Sequence, residues 1–189
     1  MVRYKVHYGR KTKTSFSEGF IYRVHPRGFF LIDVLKTLEK LEVAAKFLSR
    51  FPSEKVLITS AREYAERGIR RMCELTGMTA LTGRFLPGTL TNYALKEHRE
   101  VDVVFVVDHN FDSQAVEEAT RMKIPVVSFV DTNSYPQFVD LTIPGNSKGR
   151  SSLAVLFWTL TVLYLREKGL LSPDGVLENP IEDFMVTFE

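Results

Sequence analysis

The chain has 189 residues, enough for one domain with a sizeable core, and its 44% hydrophobic and 25% charged content is that of an ordinary globular protein. The net charge of +2 excludes a uniformly basic nucleic-acid binder but not a polarised one. Residues 1–18 show no hydrophobic period; they are polar, basic and Ser/Thr-rich, and read as a basic N-terminal arm that orders on a partner. Gly19 to Val24 and Gly28 to Ile32 are short apolar runs separated by His25-Pro26-Arg27, a pattern that predicts two strands and a tight turn. Asp33 is placed to cap a helix running to about Arg50, with Leu35, Leu38, Leu41, Ala45 and Leu48 on one stripe.

Phe51-Pro52-Ser53 breaks that helix. Val56-Leu57-Ile58 is continuously apolar, as expected of a strand covered on both faces. A helix over Ala61 to Thr76, stopped by Gly77, leads to a short strand at Thr79-Ala80-Leu81. Gly83 to Asn92 fits neither period, and Leu90 to Arg99 is irregular. Val101 to Val107 is the strongest predicted strand, followed by a helix from Asp112 or Ser113 to about Met122. Strands at Val126 to Val130 and Val139 to Ile143 follow, then a turn in which Asn146 or Ser147 can cap a last helix reaching about Lys168. Strand and helix alternate in units of about thirty residues, which argues for a central, mostly parallel sheet flanked by helices. The expected organisation is an arm over 1–18, one α/β domain over 19–169 and an acidic tail over 170–189.

The charges are polarised along the chain. Residues 1–27 carry seven cations (Arg3, Lys5, Arg10, Lys11, Lys13, Arg23, Arg27) against Glu18, whereas 170–189 carry five acids (Asp174, Glu178, Glu182, Asp183, Glu189) and no base. Such ends suit different partners. Cys73 is the only cysteine, so neither an internal disulfide nor a thiolate zinc site is available. His7, His25, His98 and His109 show no metal-ligand spacing, and no metal or cofactor is expected. The longest uncharged run, Ser151 to Leu165, is 15 residues, too short for a bilayer span. With no apolar leader after Met1, the expectation is a cytoplasmic protein.

Four groups of residues could carry function. The stretch Gly83-Arg84-Phe85-Leu86-Pro87-Gly88-Thr89-Leu90-Thr91-Asn92 combines permissive glycines, an Arg fork and neutral donors. It either presses its backbone against an anion or is a packed connector with Phe85 and Leu86 in the core. Tyr8-Gly9-Arg10-Lys11 with Lys13 interleaves cations, an aromatic and a glycine, a composition suited to a phosphate backbone. Lys148-Gly149-Arg150 at a helix start adds further phosphate donors. Asp108 and Asp131 end strands, where open α/β sheets bind ligands, and support an alternative reading: an enzyme acting on a phosphorylated small molecule. A strand-end Asp equally well caps a helix or shapes a turn. Phosphate-loop, dinucleotide-fold and nucleophile-elbow patterns are absent.

Several stretches occur in order: Phe20-Ile21-Tyr22-Arg23-Val24, Asp33-Val34-x-Lys36-Thr37, Gly83 to Asn92, Ile124-Pro125-Val126-Val127, Asp131-Thr132-Asn133 and Lys148-Gly149-Arg150-Ser151. Together they resemble the universal small-subunit ribosomal protein two family, in its archaeal form, over roughly residues 5–169. The resemblance implies a flavodoxin-like three-layer α/β fold and a non-enzymatic role. It implies binding to small-subunit ribosomal RNA and neighbouring ribosomal proteins near the head–body junction, without self-association. The RNA contacts would fall on Tyr8, Gly9, Arg10, Lys11, Lys13, Arg84, Gly88, Thr89, Asn92, Lys148, Gly149 and Arg150. The chain departs from the family pattern at Asp108-His109-Asn110, where Asp-Pro-Arg is usual, and at Ser147 and Tyr93.

Overall fold

A computed structural model describes residues 1–186. Five strands form an all-parallel sheet: β3 (Val56–Ser60), β4 (Thr79–Thr82), β5 (Val103–Val106), β6 (Val126–Val130) and β7 (Leu141–Pro144). Their spatial order is β4-β3-β5-β6-β7. Counting only these strands, the order is 2-1-3-4-5, that of flavodoxin-like doubly wound sheets. The two predicted N-terminal strands, β1 (Ile21–Val24) and β2 (Phe30–Ile32), form a separate antiparallel hairpin. The helices are α1 (Val34–Leu48), α2 (Glu63–Thr76), α3 (Ser113–Arg121) and α4 (Arg150–Glu167).

Strand residues point alternately to two cores, which explains the unbroken apolar runs. On one face Val56, Ile58, Val103, Phe105, Val127 and Phe129 pack against α1, α2 and α4. On the other, Leu57, Val104, Val106 and Val126 pack against α3, Phe85 and Leu90. The loop from Gly83 thus fills a place on the sheet that a crossover helix would otherwise occupy.

Local signals decide most element ends. Asp33 caps α1, its carboxylate accepting from Leu35 N–H at 2.9 Å. Gly77 closes α2 at φ 74°, its N–H donating to Cys73 O at 2.8 Å. The predicted stripe of α1 is off at its start: Leu35 is exposed, and Thr37, Leu41, Ala44, Ala45 and Leu48 are buried. Cys73 faces the core, and burial pushes its thiol pKa up to about 12.

Both the N-terminal arm and the described part of the C-terminal segment lie on the domain. Val6 is buried in the main core, and His7 to Arg10 run beside β2, with Gly9 N–H donating to Phe30 O and Phe30 N–H to Arg10 O, each at 2.9 Å. The described part of the acidic segment, residues 170–186, packs Leu171, Leu177 and Ile181 onto the same core and buries Phe184. The Trp158 indole N–H donates to Asn179 O at 2.9 Å and ties the segment to α4. Glu189 lies outside the described residues.

Candidate nucleic-acid interface

The carboxyl ends of the strands bring together most of the singled-out residues. The switch in strand order falls between β3 and β5, where ligands enter folds of this kind. Here the crevice is closed by the chain's own ions. Arg62, just after β3, donates from Nη2 to Asp108 Oδ2 at 2.6 Å, and its guanidinium lies 4.7 Å from the centre of the Phe111 ring. Asp108 Oδ1 accepts from Asn110 N–H at 3.2 Å. Asp112 Oδ1 accepts from Ala61 N–H at 2.7 Å. Burial raises the Asp112 carboxyl pKa against the opposing effect of the donors from Ala61, Ser60 and Asp108. His109 beside them is buried, and burial lowers its imidazole pKa.

One strand further, Asp131 is 1% exposed. Its Oδ1 accepts from Thr132 N–H at 2.7 Å, and Oδ2 lies 3.7 Å from both Arg10 Nε and Lys148 Nζ. Burial raises the Asp131 carboxyl pKa, and the two cations pull it back. Lys148 Nζ donates to Asn133 Oδ1 at 2.8 Å; burial lowers its pKa and Asp131 opposes that shift. Asp108 and Asp131, candidates for a magnesium site in the enzymatic alternative, are thus engaged by cations and N–H groups of the chain itself. Among the described residues, no three or more His, Cys, Asp or Glu side chains are grouped to hold a metal ion.

The arm crosses this edge and stitches it. Val6 O accepts from Asn146 N–H at 2.9 Å. Arg10 N–H donates to Thr132 Oγ1 at 2.8 Å, and Thr14 Oγ1 donates to Ser134 O at 2.8 Å. Gly9 is required by close approach: a Cβ there would stand 2.8 Å from Thr132 Oγ1 and 3.0 Å from Phe30 O. The Lys148-Gly149-Arg150 turn is shaped by Asn146, whose Oδ1 accepts from Lys148 N–H and Gly149 N–H, each at 3.1 Å. Arg10, Lys11, Lys13 and Arg150 are exposed, while Tyr8, Lys148 and Gly149 are half-buried. Lys13 is paired with Glu18 at 2.7 Å.

The Gly83–Asn92 loop is organised around an anion from within the chain. Glu118, on α3, is 1% exposed. Its Oε1 accepts from Gly88 N–H at 2.6 Å and Gln114 Nε2 at 2.8 Å; its Oε2 accepts from Leu90 N–H at 3.0 Å and Thr91 Oγ1 at 3.4 Å. Burial alone would raise its pKa, but these four donors together hold it below the usual carboxylate value. Gly88 adopts φ 95°, open to glycine. Thr89 is 1% exposed and donates to Leu86 O at 2.7 Å, and Asn92 Oδ1 accepts from Ala94 N–H at 3.0 Å. Phe85 is buried as the packed-connector reading requires, but Leu86 is exposed. Arg84 is exposed, one residue after Gly83, whose N–H donates to Ser60 O at 3.0 Å.

Sequence reasoning missed Glu118 and Arg62. Glu118 sits at a helical position indistinguishable from a solvated acid such as its neighbour Glu117. Arg62 follows a strand end, a hint that a cation would face the next strand's Asp108.

The family model for ribosomal protein S2 matches residues 1–101 and 94–163, most of the chain. The chain belongs to the ribosomal protein S2 family. A relative from Staphylothermus marinus, named small ribosomal subunit protein uS2, is 45% identical over 184 residues, 97% of this chain and 84% of its own length. Proteins of the same name from Pyrobaculum neutrophilum and Aeropyrum pernix are 49% and 46% identical, covering 88% and 94% of this chain and 81% and 87% of their own. These relatives place the chain with archaeal members of the family. Among the described residues, no helix is long and apolar enough to cross a membrane.

Proposed function

We propose that this chain is a structural, non-catalytic component of a cytoplasmic small ribosomal subunit, of the kind the relatives are named for. It binds ribosomal RNA through the arm and the carboxyl edge of the sheet, and neighbouring ribosomal proteins through its other faces, as a single copy near the head–body junction. The observation that carries the RNA contact is the junction of Arg10 and Lys148 over the buried Asp131. The buried acid neutralises part of two converging cations and fixes their position, while the exposed Lys11, Arg84 and Arg150 leave the surrounding rim positive. In this reading Arg10, Lys11, Lys13, Arg84, Lys148 and Arg150 meet phosphates. Gly9, Gly88, Thr89, Asn92 and Gly149 shape the loops that present them, through the backbone bonds and close approaches described above, and Tyr8 beside Gly9 joins the contacts.

Co-sedimentation of the tagged chain with small ribosomal subunits in a sucrose gradient tests the assignment. It is expected in the subunit peak, and a pool that stays at the top of the gradient refutes it. Binding to isolated small-subunit RNA is expected to weaken steeply with salt. Each of Lys11→Ala and Arg150→Ala is expected to lower the slope of log affinity against log salt by about 1. A slope unchanged in both variants refutes their assignment to phosphate.

A further inference from the structure

The hairpin of β1 and β2 carries aromatic rings that the domain's cores do not use. His25 and Phe29 stack face to face across the turn, with ring centres 4.2 Å apart and planes within 13°. Tyr8, on the arm beside them, leans on Phe29 at 5.0 Å. All three rings are half-buried, and among the described residues none joins the hydrophobic clusters on either face of the sheet. The turn holds them rigidly. His25 N–H donates to Phe29 O and Gly28 N–H to His25 O, both at 2.8 Å, with Gly28 at φ 82°. Arg27 N–H donates to His25 Nδ1 at 3.2 Å, which fixes the ring's orientation and leaves the neutral imidazole with its proton on Nε2. Cations surround the stack: Lys5 Nζ lies 6.0 Å from the centre of the Tyr8 ring, and Arg10 and Arg27 are exposed on the adjoining backbone.

We propose that this ring stack is a docking platform for unpaired nucleotides of RNA, a base stacking on the outer face of His25 while Arg27 and Lys5 neutralise the flanking phosphates. The proposal rests on the ribosomal reading and adds the class of RNA to it. Flat rings of fixed orientation match an exposed base face, and base faces are covered by their neighbours inside a duplex. The deep, narrow major groove of an RNA helix admits no such stack, so the partner is a loop, bulge or strand end. The protonated Nε2 supplies one donor for a base carbonyl or a phosphate oxygen.

The full chain is titrated with a fluorescently labelled oligouridine and, separately, with a long RNA duplex. His25→Ala is expected to weaken oligouridine binding about tenfold, with the salt slope and duplex binding unchanged. His25→Phe, which keeps a flat ring, is expected to restore most of the loss. In His25→Trp the added indole emission, read over that of Trp158, is expected to be quenched by oligouridine and not by the duplex. Equal weakening of both RNAs, or no weakening of oligouridine binding with the RNA affinity otherwise salt-dependent, overturns the platform and leaves the ribosomal reading standing. Failure of the unaltered chain to bind either RNA overturns both. A distorted hairpin is recognised because His25→Phe would then fail to rescue while circular dichroism and thermal midpoint shift together.

Discussion

Replacing Glu118 with alanine removes the one group around which the Gly83–Asn92 loop is closed. Four donors converge on its carboxylate, two of them the backbone N–H groups of Gly88 and Leu90 at 2.6 and 3.0 Å. Gln114 and Thr91 are half-buried and can turn their polar ends to water, but the backbone donors cannot. A buried N–H left without an acceptor costs about 1–3 kcal/mol, the case for Leu90, and a half-buried one such as that of Gly88 costs less, so Glu118→Ala is expected to destabilise the chain by about 3 kcal/mol. That is a large share of the roughly 5–15 kcal/mol typical of a domain. Glu118→Gln keeps the shape and one acceptor oxygen and is expected to cost about half as much. Urea unfolding of the full chain reads the loss, and hydrogen exchange locates it at the amides of Gly88 and Leu90. The difference between wild type and Glu118→Gln also depends on pH. Because the folded pKa is held below the unfolded value of about 4.3, the extra stability is fully present above that value and is lost as pH falls through the folded pKa. The gap is therefore expected to be constant near neutrality and to close in acid. A Glu118→Ala variant within about 0.5 kcal/mol of wild type, with both amides still protected, would refute the account of the loop.

Gly9→Ala is expected to cost about 1–3 kcal/mol by forcing the arm away from Thr132 and Phe30, and to raise hydrogen exchange at the Gly9 and Arg10 amides first. Unchanged exchange there, measured by mass spectrometry after proteolysis, would show that the arm accommodates a methyl group. Arg62→Ala leaves Asp108 as a buried carboxylate without its cation and is expected to cost about 3 kcal/mol in urea unfolding. The double variant Arg62→Ala/Asp108→Asn is expected to cost less than the two single variants summed, since the unpaired charge is gone. Additive costs would mean that the pair does not act as a unit.

The architecture of the sheet is written in local patterns. The largely apolar runs over Val56–Ile58, Val103–Val107 and Val126–Val130 read as strands covered on both faces, and Asp33 and Gly77 mark helix ends by chemistry that acts within a few residues. The order and spacing of Gly83 to Asn92 and Lys148 to Ser151 likewise carry the family resemblance on their own. The charge polarity of the chain was equally plain, but its placement was not. A polar, aperiodic arm reads as unstructured because its hydrogen bonds, to Phe30, Thr132 and Ser134, lie more than a hundred residues away in part and leave no local period. Tertiary contact also turns the described part of the acidic tail inward, through Phe184 and Asn179, where composition showed only an excess of acid.

Sequence by itself therefore determined the strands, the helices, the mostly parallel character of the sheet and the family, because periodicity, caps and turn residues act over a few positions. Only the tertiary structure decided which anion the glycine-rich loop encloses. A buried glutamate on a helix and an exposed one have the same sequence signature; what separates Glu118 from Glu117 is that the Gly88 and Leu90 amides arrive at one and not the other. The same holds for Asp131, a turn residue by composition, which becomes the point on which Arg10 and Lys148 converge once β6, the arm and the start of α4 meet at one edge of the sheet.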